Sequence, residues 1–195
     1  MKKFIKVCLL AGMLALLPAL GACTAIIIGG AAVTTIIIAN DERSLGAIID
    51  DTSIEIKVAS ALKDNAGLSE QSYISATSTN GIVLLIGTAP SMAHKDTAGR
   101  LAKSVYGVRQ VVNQVEIGSK PGTAQISSDA YLASKVKTLL YSAEKMDATR
   151  INVAVSNDTV YLMGLVSQVE ADQATAVARK VGGVKRVVKV FEIIS

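Results

Sequence analysis

The sequence is poor in aromatic side chains and in cysteine. It contains no tryptophan, five tyrosines and two phenylalanines among 195 residues. Surfaces that bind single-stranded nucleic acid stack bases on aromatic rings, so this composition argues against such a surface. Both cysteines, Cys8 and Cys23, lie in an apolar N-terminal segment, so a disulfide framework is not expected. The core should consist of valine, isoleucine, leucine and alanine.

Excess charge and metal-binding side chains are also scarce. The formal net charge is +4, but Lys2, Lys3 and Lys6 supply three of the 20 basic residues, and the remainder nearly balances the 16 acidic ones. Proteins that bind nucleic acid usually carry a basic patch, so no nucleic-acid partner is expected. His94 is the only histidine, and it has no cysteine or paired carboxylates at ligand spacing. We therefore expect no metal, no cofactor and, since no nucleophile motif accompanies His94, no enzymatic activity.

The first long apolar run lies at the N-terminus and ends at a cysteine. Residues 7–17 are almost wholly apolar, follow three lysines and lead to Leu20-Gly21-Ala22-Cys23. This is the shape of a secretory signal, and the run is too short for a membrane span of about 20 residues. Leu-small-small-Cys resembles the bacterial lipobox, in which the cysteine receives a diacylglycerol and becomes the new N-terminus. We predict a signal peptide over residues 1–22 and a lipid anchor at Cys23.

A second apolar run covers residues 24–39 and is rich in isoleucine, valine and threonine. It is almost long enough to span a membrane, but its β-branched residues and Gly29-Gly30 are poor helix formers. A membrane span and a tether are both open, and we favour an acylated apolar tether over residues 23–45. Thr24 replaces the aspartate that typically retains bacterial lipoproteins in the inner membrane. That resemblance implies the outer membrane of a Gram-negative bacterium, on the periplasmic side.

The rest of the chain contains an internal repeat. Three stretches recur in the same order, and the offset between matched positions falls from 78 to 76 residues. The matched pairs are 54–62 with 132–140, 80–87 with 157–164, and 105–112 with 181–188. We predict two copies of one module, at residues 46–118 and 127–195, joined by a linker at residues 119–126.

Each copy is predicted to fold as helix, strand, strand, helix, strand. Asn80-Gly81 tolerates positive φ and indicates a hairpin between the two strands. Asp50-Asp51 and Ser127-Ser128-Asp129 are expected to cap the first helices. These helices should bury apolar stripes at helical spacing: Ile54, Val58, Ala61 and Leu62 in the first copy, and Leu132, Val136, Leu139 and Leu140 in the second. The fold class is α+β, with two helices on one face of a three-stranded mixed sheet in each copy.

This order of elements resembles the BON domain. The resemblance rests on Gly87 and Gly164 at the end of the second strand, and on Gly-Val-x-x-Val-Val after the second helix. Together with the lipobox, two such domains resemble the dual-BON outer-membrane lipoproteins. The resemblance implies a non-catalytic protein that binds anionic phospholipid through the first helix of its second domain. It also implies a role in envelope integrity, including at division sites.

The corresponding helix is predicted over residues 128–142. The face opposite its apolar stripe carries the predicted phospholipid-contact residues Tyr131, Ser134, Lys135, Thr138 and Tyr141. Tyrosine favours membrane interfaces because its ring is apolar and its hydroxyl is hydrated, and lysine can extend toward lipid phosphates. The family has a tryptophan where this chain has Tyr131, which implies a weaker contact.

Two alternatives remain open for this face. Tyr131 and Tyr141 could pack between the two domains, with Lys135 merely solvated. The tyrosine face could also bind an envelope protein, which would make the molecule a lipid-tethered adaptor for an envelope assembly machine. The matching helix of the first copy has Ser53, Lys57 and Ser60 without an aromatic residue, so the site is not extended to it.

Overall fold

A computed structural model describes residues 45–143 and 146–194. The predicted signal peptide at residues 1–22, the predicted anchor Cys23 and the apolar run at residues 24–39 lie outside these ranges. The described residues belong to one compact unit. Among them, no helix combines the length and apolar character that crossing a membrane requires.

Two domains follow one another with the same order of elements. The first contains α1 (Leu45–Asp64), α2 (Ala66–Ser69), β1 (Tyr73–Thr79), β2 (Ile82–Ala89), α3 (Met92–Lys103), β3 (Gln110–Asn113) and β4 (Glu116–Ile117). The second contains α4 (Thr123–Tyr141), a 3-10 turn (Ala148–Arg150), β5 (Ile151–Ser156), β6 (Thr159–Val166), α5 (Gln168–Arg179) and β7 (Arg186–Ile193). The predicted α+β order is confirmed in both copies.

Each domain has a mixed sheet with its second strand in the centre. β1 pairs antiparallel with β2, and β2 pairs parallel with β3 and then with β4. In the second domain β5 pairs antiparallel with β6, and β6 pairs parallel with β7 over its whole length. The last strand of the first domain is therefore interrupted, at Gln114 and the buried Val115, whereas its counterpart is continuous.

Both hairpins close with two residues at positive φ. The angles are 53° at Asn80 and 72° at Gly81, and 49° at Asn157 and 60° at Asp158. Two consecutive residues at positive φ form the type I′ turn that matches the twist of antiparallel strands. The Asn-Gly hairpin prediction is confirmed.

Steric crowding explains why a glycine stands near the end of the second strand in each domain. A Cβ atom on Gly87 would lie 1.9 Å from the carbonyl oxygen of Tyr73. On Gly164 it would lie 2.3 Å from the carbonyl oxygen of Arg150. The backbone therefore leaves no room for a side chain where the first strand of each domain begins.

The predicted helix caps are wrong, because both aspartates lie inside helices and bind the hairpins instead. Asp51 accepts hydrogen bonds from Ser78 Oγ (2.7 Å) and from the backbone N–H groups of Asn80 (2.6 Å) and Gly81 (2.9 Å). The second copy repeats the arrangement: Asp129 accepts from the N–H groups of residues 157 (2.9 Å) and 158 (3.0 Å). Since α4 begins at Thr123, it also takes up residues 123–126 of the predicted linker.

The helices of each domain pack on one face of its sheet, as predicted. In the first domain Ile54, Val58 and Leu62 of α1 contact Val83 and Leu85 of the sheet. The second domain repeats this core with Leu132, Val136 and Leu140 packed against Val153, Val160 and Leu162. Leu139 was expected in this stripe, but it is 42% exposed, because three neighbouring positions already fill the contact.

The other faces of the two sheets pack against each other. Leu84 and Ile86 of β2 contact Tyr161 and Met163 of β6 in a third apolar cluster. Residues 82–86 are all apolar because alternate side chains enter the domain core and the interface between the sheets. The molecule therefore has four layers, with α1 and α4 in opposite outer layers.

Reciprocal polar contacts surround this interface. Asn80 Nδ2 donates to Glu192 of the second domain (2.8 Å), and Asn157 Nδ2 donates to Glu116 of the first (3.1 Å). Each glutamate also pairs with an arginine of the other domain. Since Asn80 matches Asn157 and Glu116 matches Glu192 in the repeat, the two domains are related by an approximate two-fold axis.

Candidate functional site

The outer surface of α4 is set by its buried side. Leu132, Val136 and Leu140 are almost fully buried at four-residue spacing, which directs the opposite side of the helix to solvent. Tyr131 is 71% exposed and Tyr141 is 64% exposed on that side. The alternative that these tyrosines pack between the domains is therefore wrong.

Between the two tyrosines, the polar side chains form hydrogen bonds with the backbone of their own helix. Ser134 and Thr138 are exposed, yet their hydroxyls donate to the carbonyl oxygens of Ala130 (3.1 Å) and Ser134 (3.0 Å). Such bonds to the preceding turn leave the methyl and methylene groups outermost. The middle of the face therefore loses little hydrogen bonding when water leaves it.

Lys135 lies at the edge of this face. Its side chain is half-buried, and its Nζ donates to the carbonyl oxygen of Gly182 (3.2 Å). The contact joins α4 to the loop between α5 and β7. The structure therefore brings Tyr131, Ser134, Thr138 and Tyr141 onto one surface, with Lys135 beside them.

The face measures about 15 Å along the helix axis between the two tyrosines, since ten residues rise about 1.5 Å each. Leu139 and Lys137 are also exposed on α4.

The loop near Lys135 also carries a paired cation. Lys185 Nζ lies 2.9 Å from Asp158 of the hairpin, and this hydrogen bond holds the pKa of the Asp158 carboxyl below its usual range. Lys185 is thus partly neutralised at neutral pH. The exposed lysines at positions 137 and 180 have no such partner among the described residues.

Groups that support catalysis or metal binding do not assemble near this face. His94 lies in the other domain, where its Nδ1 is 2.8 Å from Ser91 Oγ at the start of α3. Over residues 45–143 and 146–194, no three histidine, cysteine or acidic side chains gather as metal ligands. The chemistry that this face offers is shallow, largely apolar contact bordered by cations.

Comparison with known proteins settles the family. The BON domain family matches residues 50–119 and 128–195. The chain belongs to the BON-domain family. This confirms the resemblance inferred from the glycines and the Gly-Val-x-x-Val-Val stretches.

Three relatives match most of the chain. It is 41% identical over 170 residues to the outer membrane lipoprotein DolP of Haemophilus influenzae, covering 87% of this chain and 88% of DolP. It is 38% identical over 154 residues to the 21 kDa hemolysin of Actinobacillus pleuropneumoniae, covering 79% of each. It is 30% identical over 148 residues to osmotically-inducible protein Y of Escherichia coli, covering 74% of this chain and 73% of that protein.

A solved structure shares only a distant likeness. The C-terminal domain of CdsD, the structural protein of the type III secretion system of Chlamydia trachomatis, aligns with a TM-score of 0.31 and 11% identity. The alignment covers 72% of this chain and 96% of that domain. A likeness this distant carries no argument about function.

Proposed function

We propose that this protein is an outer-membrane lipoprotein that faces the periplasm and binds anionic phospholipid through the outer face of α4. Acyl chains on Cys23 attach it, and contact through α4 supports envelope integrity, including at division sites. The name of the DolP relative and its 41% identity support the lipoprotein assignment. The proposed activity is binding, without catalysis.

The observation that carries the phospholipid proposal is the exposure of Tyr131 and Tyr141. Their rings occupy one surface of α4 whose intervening hydroxyls bond to their own helix. Tyrosine is enriched at membrane interfaces, and a helix of this kind lies in the plane of the interface with its apolar side inward. The face therefore suits shallow insertion between headgroups.

Cations give the contact its preference for anionic lipid. A lysine close to an anionic membrane contributes about 1 kcal/mol, and Lys137 is an exposed lysine of the same helix, with Lys135 at the edge of the face. Since the chain without its first three lysines is almost neutral, this attraction is local and modest. Its role is to orient a molecule that the acyl chains already hold, and to make its distribution depend on lipid charge.

Vesicle binding by residues 39–195 without the lipid tests this proposal, because this segment is one compact unit containing both cores. We expect it to sediment with anionic vesicles and not with zwitterionic ones. Tyr131→Glu should abolish this binding, since it places a charge where a ring would insert. Tyr73→Glu, a matched change at a partly exposed tyrosine of β1, should leave it unchanged.

Backbone NMR on the same segment locates the contact. Anionic micelles should shift the amide signals of residues 128–142 and few others. Equal binding by the Tyr131→Glu and Tyr73→Glu variants would remove the α4 site. No binding by the folded parent segment would leave Cys23 as the membrane contact and favour the adaptor role for the tyrosine face.

A further inference from the structure

The first strand of the first domain has an edge with free backbone groups. Alternate residues of β1 bond to β2, because the residues that flank a two-residue turn exchange both backbone hydrogen bonds. The residues between them, Ile74, Ala76 and Ser78, direct their N–H and C=O groups away from β2. Glu55 accepts from Ser78 N–H (2.7 Å), whereas the outward groups of Ile74 and Ala76 have no partner among the described residues.

β1 lacks the features that usually protect an edge strand. Its sequence, Tyr-Ile-Ser-Ala-Thr-Ser-Thr, contains neither charge nor proline, although charges, proline and bulges are the common means of preventing edge pairing. At the opposite edges of the two sheets, β7 carries Arg186, Lys189 and Glu192, and the pair β3 and β4 is interrupted. β5 is also uncharged, so the side chains around each edge must distinguish β1 from β5.

A groove of about 370 Å³ lies beside the free part of β1. It is bounded by the end of α1, by α2 and by the start of β1, and the buried Leu62 and Leu68 form its apolar floor. Lys63 is the only charged side chain among the described residues that line it. Lys120 of the linker donates to the carbonyl oxygen of Ser69 at the rim (3.0 Å). The groove is therefore apolar with a cation at one end.

A buried hydroxyl in this groove is unpaired. Ser72 is 7% exposed and lines the groove, and its Oγ has no hydrogen-bond partner among the described residues, an unfavourable state for a buried polar group. In the second domain Thr149 takes this place, and its hydroxyl donates to Asp147 (2.6 Å). Tyr141 stands there where the first domain has Lys63. The unpaired hydroxyl and the neighbouring cation are thus features of the first domain.

These features fit the carboxyl end of a polypeptide chain. An extended backbone offers alternating donors and acceptors at the spacing of the β1 edge. Antiparallel pairing is the more stable arrangement, and it places the carboxyl end of an added strand at the start of β1, beside Lys63 and Ser72. Parallel pairing would place a positively charged amino end beside Lys63 instead.

The size of the free edge favours a short peptide over a second copy of the chain. Glu55 occupies the edge at Ser78, so the free part extends from Ile74 to Ala76, about 7 Å at about 3.4 Å per residue. A stable dimer interface buries about 1,200 Å² or more. A strand pair of this length supplies too little area for a dimer.

Topology also disfavours a strand supplied by the chain just before α1. Such a strand would run parallel to β1, because α1 begins beside the turn between β1 and β2. Its crossover through α1 would have the opposite hand to the crossover from β2 through α3 to β3. Since about 98% of parallel crossovers are right-handed, one of the two would have the disfavoured hand. The occupant should therefore come from another protein.

We propose that the start of β1 binds the carboxyl-terminal segment of a partner protein as an added antiparallel strand. The backbone of the segment pairs with Ile74 and Ala76, and one of its apolar side chains enters the groove. Lys63 and the Ser72 hydroxyl bind its terminal carboxylate. This site lies on the first domain and does not depend on lipid contact by α4.

Selection from random hexapeptides with free carboxyl ends tests this proposal on residues 39–195, which form one compact unit. We expect the selected peptides to end in an apolar residue. Amidation of the carboxyl group should weaken their binding about tenfold, as loss of a hydrogen bond between charged groups implies. In backbone NMR the bound peptide should shift the amide signals of Ile74 and Ala76 and slow their hydrogen exchange. Methylation of the peptide nitrogen that faces β1 should abolish binding, and methylation of the next nitrogen should not.

Substitutions in the protein test the carboxylate contacts. Lys63→Glu should weaken binding of the selected peptide about tenfold or more, whereas Lys57→Glu, a matched change at another exposed lysine of α1, should leave it unchanged. Ser72→Ala should also weaken binding, but it should not lower stability, because it removes a hydroxyl that has no partner. Failure to select any peptide, or equal binding by the two lysine variants, would overturn the proposal.

Two further results would assign the edge to a different occupant. Dimerisation of residues 39–195 with slow amide exchange at Ile74 and Ala76, in the absence of peptide, would assign it to a second copy. Slow exchange at these amides in the full-length monomer, but not in residues 39–195, would assign it to the preceding part of the chain. Either result overturns the partner-peptide site.

Discussion

The two domains share their inner surfaces and differ in their outer ones. Asp51 and Asp129 hold the hairpins in the same way, and reciprocal asparagine–glutamate contacts join the sheets. On the outer helices, by contrast, Ser53 of the first domain stands where the second has Tyr131. A side chain that must fit its own core and a neighbouring sheet is constrained from two directions. The outer faces lack that constraint, and there the two copies differ.

The largest expected effect comes from placing a charge between the sheets. Leu84→Asp leaves an unpaired carboxylate beside Tyr161 and Met163, which should cost about 4 kcal/mol or more. We expect the single urea-unfolding transition to split into two transitions, one for each domain. NMR signals from residues of each domain monitor the two transitions separately. Gln71→Asp, at an exposed position, should leave one transition. A single transition in Leu84→Asp would mean that the sheets do not couple the domains.

A somewhat smaller loss should follow from filling the glycine positions in both domains. Gly87→Ala and Gly164→Ala each place a Cβ against a carbonyl oxygen, and we expect each to lower the free energy of unfolding by about 3 kcal/mol. Gly118→Ala, which meets nothing within 4 Å, serves as the control. Urea unfolding measures all three. A loss of stability in one domain alone would mean that the two close contacts, of Gly87 with Tyr73 and of Gly164 with Arg150, are not equivalent.

Replacing each of the two buried aspartates by alanine should lower the stability of the protein, but by different amounts. Asp51→Ala leaves three donors unpaired, including the buried Ser78 hydroxyl, and should cost about 2–3 kcal/mol. Asp129→Ala leaves two backbone donors, and its third donor, Gln125, can turn to water; we expect a loss of about 1–2 kcal/mol. Thermal unfolding compares them, with Asp50→Ala as the exposed control. Equal losses would show that the side-chain donors do not matter.

The smallest effects are on pH dependence, with opposite signs in the two domains. Burial raises the pKa of Glu55, aided by the charge of Asp51 and opposed by the hydrogen bond from Ser78 N. A raised pKa in the folded state contributes stability below the unfolded pKa, and this is lost as pH rises through the folded pKa. Glu55→Gln, which keeps an oxygen for Ser78 N, should therefore be at least as stable as the parent at pH 7.

The second domain carries the opposite case. The hydrogen bond from Lys185 lowers the pKa of Asp158, so its stabilisation is present above the unfolded pKa and lost as pH falls through the folded one. Because Lys185 is exposed although Asp158 is partly buried, Asp158→Asn should cost under about 1 kcal/mol at pH 7 and nothing once the carboxyl is protonated. Urea unfolding of both variants at pH 3 and pH 7 checks the two signs. If the two variants changed stability with pH in the same direction, the opposite pKa shifts of Glu55 and Asp158 would be contradicted.

Local patterns in the sequence predict much of this fold. Asn80-Gly81 predicts its hairpin because positive φ is a property of those two residues. The stripe Leu132, Val136 and Leu140 identifies the buried side of α4. The opposite side, which carries the tyrosines, must therefore face solvent. The role of Asp51 is beyond such reasoning, since its hydrogen-bond partners lie 27 to 30 residues away.

The packing of the two sheets against each other could have been predicted from the sequence of the central strand. Residues 82–86 are apolar without alternation, whereas a strand with one exposed face alternates.

The short connection between the domains changes the nature of their pairing. Only residues 118–122 separate β4 from α4, so association of the two sheets is unimolecular. Short linkers give effective concentrations in the millimolar range. Two separate copies of this module would pair or dissociate according to their density, whereas the fused pair stays assembled even where the protein is sparse. Each half can then acquire its own outer surface without the risk of losing its partner.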